Sequence, residues 1–293
     1  MKKPGASLVN SRRNNAMEAT VNGTTLYYET VGQGTPMFIM HGGLGMDHTY
    51  FRPWLDQLAD QMTLVYYDHR ANGRSERPVS LDGVDHATWA ADADALREHL
   101  GYDQIILLGH SYGGFLAQEY AIRYGDRLKG LVLSCTAPTM DYGEVILANA
   151  QARGTQEQLE ALGGLLSRPM ADDDEMGAHL GAVLPLYFHR PDPAVIEDVA
   201  ERGVYSAAAW NHAAATCMPV FNYLASLSDI TAPTLVLSGD DDYITPPAQG
   251  GARIHAAIPG SEFVVFEHSG HFPFIEETDR FMEVMRAWLA ERQ

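Results

Sequence analysis

The sequence contains the stretch Ile105-Ile106-Leu107-Leu108-Gly109-His110-Ser111-Tyr112-Gly113-Gly114, in which four aliphatic residues run into a G-x-S-x-G pattern. The aliphatic run predicts a strand that is covered on both faces, as in a parallel sheet. In a sharp turn from a strand into a helix, glycine neighbours let the helix pack closely and keep the serine hydroxyl accessible. Leu116, Tyr120 and Tyr124 then recur at helical spacing. The stretch therefore predicts a strand, a turn and a helix, and it marks Ser111 as a candidate nucleophile.

From Met17 onward, strand-like and helix-like segments alternate, which is typical of a parallel sheet with helices on its faces. Asn22-Gly23 is a strong turn signal and predicts a hairpin within residues 19–31. Further strands are predicted at residues 37–40, 63–67, 105–108, 130–134, 234–238 and 262–266. Helices are predicted near residues 48–61, 89–100, 116–124, 247–257 and 281–289. The fold class that this order predicts is α/β, with a doubly wound, mostly parallel sheet.

The regular alternation stops between residues 137 and 229, an interval rich in alanine, glycine, methionine and aromatic residues. This interval is too long for an ordinary loop and is predicted to be an inserted helical cap. Residues 17–136 and 230–293 would form the α/β core around it. Residues 1–16 carry four basic residues and no acidic residue, and they lack the apolar h-region of a secretory signal. They are predicted to be a disordered leader, with Met17 as an alternative start.

Length and composition limit the class of protein. A chain of 293 residues with 46% hydrophobic content can form one large α/β domain. Its formal net charge of −18 would repel nucleic acids and anionic membrane surfaces, so neither is expected as a partner. Only two cysteines occur and no apolar run is long enough to span a bilayer, which favours a cytoplasmic protein without a disulfide framework. No histidine or cysteine spacing is typical of a zinc site, so neither a metal nor a cofactor is expected.

A serine hydroxyl needs a neighbouring base whose orientation is held by a third group. In a doubly wound sheet, catalytic groups gather in the loops at the carboxyl ends of the strands. His268 and His271 both follow the last predicted strand, and we favour His271 because the Ser-Gly turn before it can bring its side chain back over the sheet. Asp240, Asp241 and Asp242 follow the preceding strand, and Asp242 is the preferred acid.

Acyl transfer also needs hydrogen-bond donors for the oxyanion of the tetrahedral intermediate. One backbone N–H comes from the residue after the nucleophile, which is Tyr112 here. A second is expected from the glycine-rich loop after the strand at residues 37–40, where the backbone can approach a ligand closely. Gly43 in that loop is the predicted donor.

From Met17 to the C-terminus, the chain resembles the α/β-hydrolase superfamily, in which the triad residues follow one another in the order Ser, Asp, His. Two motifs are similar to those of proline iminopeptidases and their esterase relatives: His41-Gly42-Gly43-Leu44-Gly45-Met46-Asp47-His48 and Asp68-His69-Arg70-Ala71-Asn72-Gly73-Arg74-Ser75. The resemblance implies that Ser111, Asp242 and His271 form the triad and that Gly43 and Tyr112 donate to the oxyanion.

The chain departs from the iminopeptidase pattern at two positions. Leu44 stands where that pattern usually has proline, and Tyr243 stands where it usually has a glutamate that helps to hold the free amino terminus of the substrate. A buried ammonium without carboxylate partners would be costly, which argues against aminopeptidase activity. Glu197, Glu201 and the acidic run at residues 172–175 are either replacement acids or solvated helix faces.

Tyr205 and Trp210 in the predicted cap, together with Tyr243, are candidate contacts for an acyl or aromatic substrate. We therefore predict a serine hydrolase that cleaves carboxylic esters of small to medium acyl groups through an acyl-enzyme. An iminopeptidase-like aminopeptidase that acts on an amide is the main alternative. A lactonase, a carbon–carbon bond hydrolase, a perhydrolase and a ligand-binding protein without turnover also stay open, because fold alone does not define activity. The expected partner is a small ester or amide, and the sequence leaves the oligomeric state open.

Overall fold

The structure is a computed structural model that describes residues 15–43 and 45–292. Within these residues, eight strands form one sheet in the order β1-β2-β4-β3-β5-β6-β7-β8. The strands are β1 (Asn15–Val21), β2 (Thr24–Gly32), β3 (Thr35–Met40), β4 (Met62–Tyr67), β5 (Ile105–His110), β6 (Leu128–Ser134), β7 (Thr234–Gly239) and β8 (Glu262–Phe266). The β1/β2 and β2/β4 pairs are antiparallel, and the other neighbours are parallel. The predicted α/β class with a mostly parallel sheet is confirmed.

The first two strands form the predicted hairpin. Asn22 and Gly23 turn the chain with φ angles of 47° and 72°, the left-handed conformation that asparagine and glycine tolerate. Most of the predicted leader, residues 1–14, lies outside the described residues. Its last two residues do not fit that prediction, because Asn15 and Ala16 pair with Thr30 and Glu29 in the hairpin. The long partner strand offers these two residues hydrogen bonds that a boundary at Met17 would leave unmade.

The central strands are buried on both faces, as their continuous aliphatic runs predict. All six residues of β5 are buried. Because side chains alternate across a strand, Ile105 and Leu107 join one apolar core, while Ile106 and Leu108 join another on the opposite face. The helices of the two layers cover these cores, and the loops that follow the parallel strands all emerge at one edge of the sheet.

Five α-helices belong to the described α/β core: α1 (His86–His99), α2 (Tyr112–Tyr124), α8 (Gly251–Ala257), α9 (Pro273–Glu276) and α10 (Thr278–Ala290). The helix predicted at residues 48–61 is wrong. The chain there forms two short 3₁₀ helices, His48–Phe51 and Leu55–Asp60, on either side of Pro53, which has no N–H for a continuous helix. The helix predicted from residue 247 begins at Gly251, after Pro246 and Pro247.

Residues 137–229, which we call the inserted segment, lie between β6 and β7. They contain α3 (Gly143–Arg153), α4 (Gln156–Ser167), α5 (Asp173–Val183), α6 (Pro193–Arg202) and α7 (Ala207–Thr216). Side chains cap several of these helices, as at Thr155, Asp172 and Ser206. The Tyr187 carbonyl accepts a hydrogen bond from the His271 N–H at 2.6 Å, and Ser206 N–H donates to the Gly45 carbonyl at 2.8 Å. The inserted segment therefore lies against the loops at the carboxyl ends of the strands.

Among the described helices, none is both long enough and apolar enough to cross a membrane. Cys135 and Cys217 are both buried free thiols.

Candidate active site

Ser111 lies at the turn between β5 and α2, where the G-x-S-x-G pattern predicts a constrained backbone. Its φ and ψ angles are 56° and −123°, a region that non-glycine residues rarely occupy. Three hydrogen bonds hold it there: Ser111 N–H donates to the Ser134 carbonyl, and the Ser111 carbonyl accepts from Thr136 Oγ1 and from Gly114 N–H. The neighbouring strand β6 and the first turn of α2 thus support the strained conformation.

The glycines around Ser111 are required by close packing. A Cβ atom on Gly113 would lie 2.2 Å from the Met40 carbonyl oxygen, and one on Gly114 would lie 2.3 Å from Thr136 Oγ1. Gly109 is equally tight, since its Cβ would lie 2.5 Å from the Gly113 carbonyl oxygen. Without side chains at these positions, α2 can begin directly against the ends of β3 and β6.

Asp242 and His271 are brought together from the loops after β7 and β8. His271 Nδ1–H donates to Asp242 Oδ2 at 2.7 Å, and both residues are 2% exposed. Thr245 Oγ1 donates to the same oxygen at 2.6 Å, while Oδ1 accepts the N–H groups of Ile244 and Thr245. Burial by itself raises the pKa of the Asp242 carboxyl, but the charge of His271 and these hydrogen bonds outweigh it, so that the pKa lies below its usual value. Asp242 is therefore ionised and orients the His271 ring.

The rival residues that the sequence left open lie elsewhere. His268 is exposed, and its ring is 6.2 Å from that of His189 in the inserted segment. Asp240 is exposed, and Asp241 forms an ion pair with Arg153 and a hydrogen bond with His189 Nδ1. Of these alternatives, only the preferred pair, Asp242 and His271, forms the hydrogen bond that a triad requires.

His110 links the glycine loop after β3 to the loop of His271. The His271 carbonyl can only accept, so His110 Nε2–H donates to it, at 2.8 Å. A neutral imidazole has one donor and one acceptor nitrogen, and His110 Nδ1 therefore accepts from Tyr50 Oη at 2.9 Å. Tyr50 Oη in turn accepts the Gly42 N–H at 2.6 Å. Burial and the neighbouring His271 lower the pKa of His110 well below its ordinary value, so the ring stays neutral and keeps this tautomer.

The glycine loop lies directly against Ser111. A Cβ on Gly42 would come within 2.6 Å of the Ser111 Cβ atom, and Gly43 has a φ of 63° that favours glycine. Tyr112 is the first residue of α2, where backbone N–H groups are free of intrahelical partners. Gly43, Ser111 and Tyr112 line the same cavity, which is the arrangement that two backbone donors to an oxyanion need.

Two cavities meet at Ser111 and share Gly43, Tyr187 and Trp210. The smaller cavity, about 60 Å³, is also lined by Tyr205 and His271. The larger cavity, about 290 Å³, extends over α2 and the inserted segment, along side chains that include Phe115, Met140, Ile146, Met218 and Ile244. Tyr205 and Trp210, two of the predicted substrate contacts, therefore line the cavities at Ser111.

Tyr243, the third predicted contact, lines neither cavity. It is fully buried, and its ring packs edge-on against Tyr187 with 4.9 Å between the centroids. Tyr187 itself lies 5.2 Å from the His271 ring and lines both cavities. Tyr243 therefore packs against a residue that faces the cavities and does not face them itself.

Among the described residues, two groups place three potential metal-ligating atoms within 4.8 Å of one another. The first group is His110, Cys135 and His271, and the second is Asp47, His48 and Asp68. Protein hydrogen bonds and ion pairs already occupy several of these atoms. His110 uses both ring nitrogens, and Asp68 accepts from His48 Nδ1 and from Arg74 N–H. Asp47 forms an ion pair with Arg74. The second group connects the loops after β3 and β4 and is explained by that structural role.

Residues 35–278 match the family model described as the alpha/beta hydrolase fold. The chain belongs to the α/β-hydrolase fold family. This α/β hydrolase is 33% identical over 281 residues to a proline iminopeptidase of Clostridium botulinum, with 90% of this chain and 94% of that one covered. It also superimposes on an esterase of Thermogutta terrifontis with a TM-score of 0.71 and 27% identity, covering 94% of this chain and 97% of that one. An esterase of Exiguobacterium antarcticum has a TM-score of 0.76 at 23% identity, with 94% and 98% covered, and so shares the fold.

Sequence reasoning missed three residues that support the site of this α/β hydrolase. Tyr50 and His110 form the chain of hydrogen bonds that connects Gly42 to His271, and Thr245 binds both oxygens of Asp242. Thr245 follows Asp242 closely enough for a local turn, so its role was open to prediction. Tyr50 lies in the segment whose helix was wrongly predicted, and nothing in the sequence joins it to His110.

Proposed function

We propose that the protein is a serine hydrolase that cleaves uncharged carboxylic esters through an acyl-enzyme. Ser111 attacks the ester carbonyl, His271 takes its proton, and Asp242 holds the imidazole in the productive tautomer. The backbone N–H groups of Gly43 and Tyr112 stabilise the oxyanion. The His271–Asp242 hydrogen bond and the strained turn at Ser111 support these roles.

One observation carries the choice of an uncharged ester. Among the described residues, no aspartate or glutamate lines either cavity at Ser111. Asp242 accepts four hydrogen bonds, one from His271, one from Ile244 and two from Thr245. A carboxylate has about four acceptor sites, so these bonds leave Asp242 without capacity for a substrate ammonium. A substrate ammonium would therefore be desolvated without a counter-charge, at a cost that an uncharged acyl group avoids.

The acids that could replace the missing glutamate are occupied or remote. Glu197 and Glu201 are exposed on α6. Asp172 caps α5 by accepting the Glu175 N–H, and Glu175 forms an ion pair with Arg168. None of these carboxylates lines the cavities, which favours their interpretation as solvated helix faces.

Aminopeptidase activity is the second candidate, and a specific observation favours it. The proline iminopeptidase of Clostridium botulinum shares 33% of its residues with this chain over nearly the whole length. An iminopeptidase must recognise a cationic proline nitrogen, however, and the cavities offer it aromatic rings, such as those of Trp210 and Tyr187, without a carboxylate. The two proposals thus differ in whether a positive charge is accepted next to Ser111.

The test compares p-nitrophenyl acetate and butyrate with proline p-nitroanilide. We expect turnover of the esters, and we expect Ser111→Ala to lower it on the order of 10³-fold or more, because the nucleophile is lost. Ser228→Ala, at an exposed serine that lines neither cavity, is the matched control and is expected to retain the rate. A strong preference for the anilide would reverse the ranking. Turnover that survives Ser111→Ala would reject the nucleophile, and failure of a fluorophosphonate probe to label Ser111 would favour a binding protein without turnover.

A further inference from the structure

The two cavities at Ser111 differ in the chemistry that borders them, and this difference indicates which half of an ester each one receives. His271 lines the smaller cavity and is absent from the lining of the larger one. Tyr112, one of the two proposed oxyanion donors, lines the larger cavity and is absent from the lining of the smaller one, whereas the other donor, Gly43, lines both. The inference rests on the proposed esterase function.

Acylation forms a bond between Ser111 Oγ and the ester carbonyl carbon and breaks the bond from that carbon to the alcohol oxygen. The proton that His271 takes from Ser111 must pass to the departing alcohol oxygen. The alcohol must therefore lie on the side of His271, in the smaller cavity. The acyl chain, which stays on Ser111 until water releases it, is left with the larger cavity.

The larger cavity has the composition of an acyl-binding channel. Its lining between Ser111 and the surface is formed mainly by apolar side chains, among them Phe115, Met140, Ile146 and Met218. Its volume is about 290 Å³, against about 60 Å³ for the smaller cavity. The cavity assigned to the acyl group is thus larger than the cavity assigned to the alcohol. An acetate ester of a long alcohol would need the opposite arrangement.

Two exposed leucines line the larger cavity. Leu147 on α3 is 46% exposed and Leu166 on α4 is 59% exposed, and both line the cavity. Single exposed leucines are common on proteins and need no explanation. Two of them in the lining of a cavity that also reaches the nucleophile connect it to solvent through apolar side chains, so that a chain longer than the cavity has an apolar way out.

We propose that the natural substrates are esters of a small alcohol with an unbranched acyl chain of roughly eight carbons or more, whose burial improves binding about fourfold per methylene group. The chain runs from Ser111 through the larger cavity and leaves the protein between Leu147 and Leu166. Trp210 and Tyr187, which border both cavities, separate the acyl chain from the alcohol.

Two isomeric esters test the assignment. Ethyl octanoate and octyl acetate have the same atoms, but the long chain lies on the acyl side in the first and on the alcohol side in the second. We expect kcat/KM, measured with a pH-stat below the solubility limit, to be at least about tenfold higher for ethyl octanoate. Equal values, or a preference for octyl acetate, would overturn the inference while leaving an esterase. Inactivity on both isomers and on p-nitrophenyl acetate would reject the proposed function itself.

Placing a charged side chain at either leucine tests whether the acyl chain leaves the cavity between them. Leu147→Glu and Leu166→Glu are each expected to lower the ratio of p-nitrophenyl decanoate to p-nitrophenyl acetate turnover at least about fivefold, because the chain would pass a carboxylate. Val79→Glu, at a fully exposed valine outside both cavities, is the matched control and is expected to keep the ratio. A ratio that all three variants leave unchanged would show that the chain does not leave between the two leucines.

Discussion

The α/β core and the inserted segment are built from differently buried elements. Strand β5 buries all six of its residues, and Ser111 follows directly. Helix α6 in the inserted segment buries only Val199, and helix α4 buries only Leu162 and Leu165. Strands buried on both faces hold reactive groups at fixed distances, whereas half-exposed helices provide surfaces that line a cavity. We therefore expect the core to carry the chemistry and the inserted segment to contribute to the choice of substrate.

The two regions are joined by hydrogen bonds close to the site. His86, the first residue of α1, contacts Tyr112 Oη at 2.8 Å with Nε2 and Tyr223 Oη of the inserted segment at 2.7 Å with Nδ1. The Glu276 carboxylate accepts N–H groups from Gly270, next to His271, and from His189 of the inserted segment. These contacts place the helices over the site while leaving the reacting groups to the core.

The largest effect is expected from Asp242→Asn, which tests whether the chemistry depends on the core alone. The asparagine amide cannot hold His271 in the tautomer that accepts the serine proton, so we expect kcat for p-nitrophenyl acetate to fall by about 10²–10⁴-fold. The neighbouring Asp241→Asn is the matched control, because Asp241 pairs with Arg153 and His189 instead. Similar rates for the two variants would contradict the proposed orienting role of Asp242.

A smaller effect is expected at His86, where the two regions meet. Burial lowers the pKa of His86 from its ordinary value of 6.5 to about 4. Between these pH values the unfolded chain binds a proton that the folded chain does not. The free energy of unfolding should therefore fall as the pH drops from 6.5 toward 4, by on the order of 3 kcal/mol from this residue.

Urea unfolding at several pH values measures this dependence. His86→Gln retains a donor and an acceptor for the two tyrosines but does not titrate, so its free energy of unfolding should depend less on pH. His99→Gln, at the exposed end of α1, is the control and should keep the wild-type dependence. If the free energy of unfolding of His86→Gln depended on pH as strongly as that of the wild type, His86 would not be the source of the pH dependence.

Glycine-to-alanine substitutions compare how tightly the core and the inserted segment are packed, and their expected effects are the smallest. A Cβ on Gly113 would lie 2.2 Å from the Met40 carbonyl oxygen, where the backbone of β3 cannot easily move. We expect Gly113→Ala to lower the free energy of unfolding by roughly 2–3 kcal/mol, as overpacking does in other cores. The measurement is denaturant unfolding of the variant beside the wild type.

Gly163 in α4 of the inserted segment is the matched glycine. Nothing lies within 4 Å of a Cβ built there. Alanine at this helical position should raise the free energy of unfolding by about 0.5–1 kcal/mol, because it restricts the unfolded chain and favours the helix. Effects of the same sign at Gly113 and Gly163 would mean that the two regions are not packed as differently as the structure describes.

Much of the fold could be predicted from local patterns. The strands at the centre of the sheet were predicted within a few residues, because continuous aliphatic runs between turn signals have few alternative structures. The helix predicted over residues 48–61 failed because apolar spacing suited a helix while Pro53 prevented a continuous one. Tyr243 was predicted as a substrate contact from its position beside Asp242, but only packing determines which way a buried ring points.

The sequence by itself determined the order of the strands and of most core helices, the turn that strains Ser111, and the short set of histidines and aspartates from which the site is drawn. These features depend on residues close together in the chain, whose spacing limits the local backbone. The tertiary structure alone decided that Asp242 rather than Asp241 meets His271, that Tyr50 and His110 connect Gly42 to His271, and that two unequal cavities meet at Ser111. Such contacts join loops far apart in sequence, and their partners are chosen by how the sheet and the inserted segment pack together.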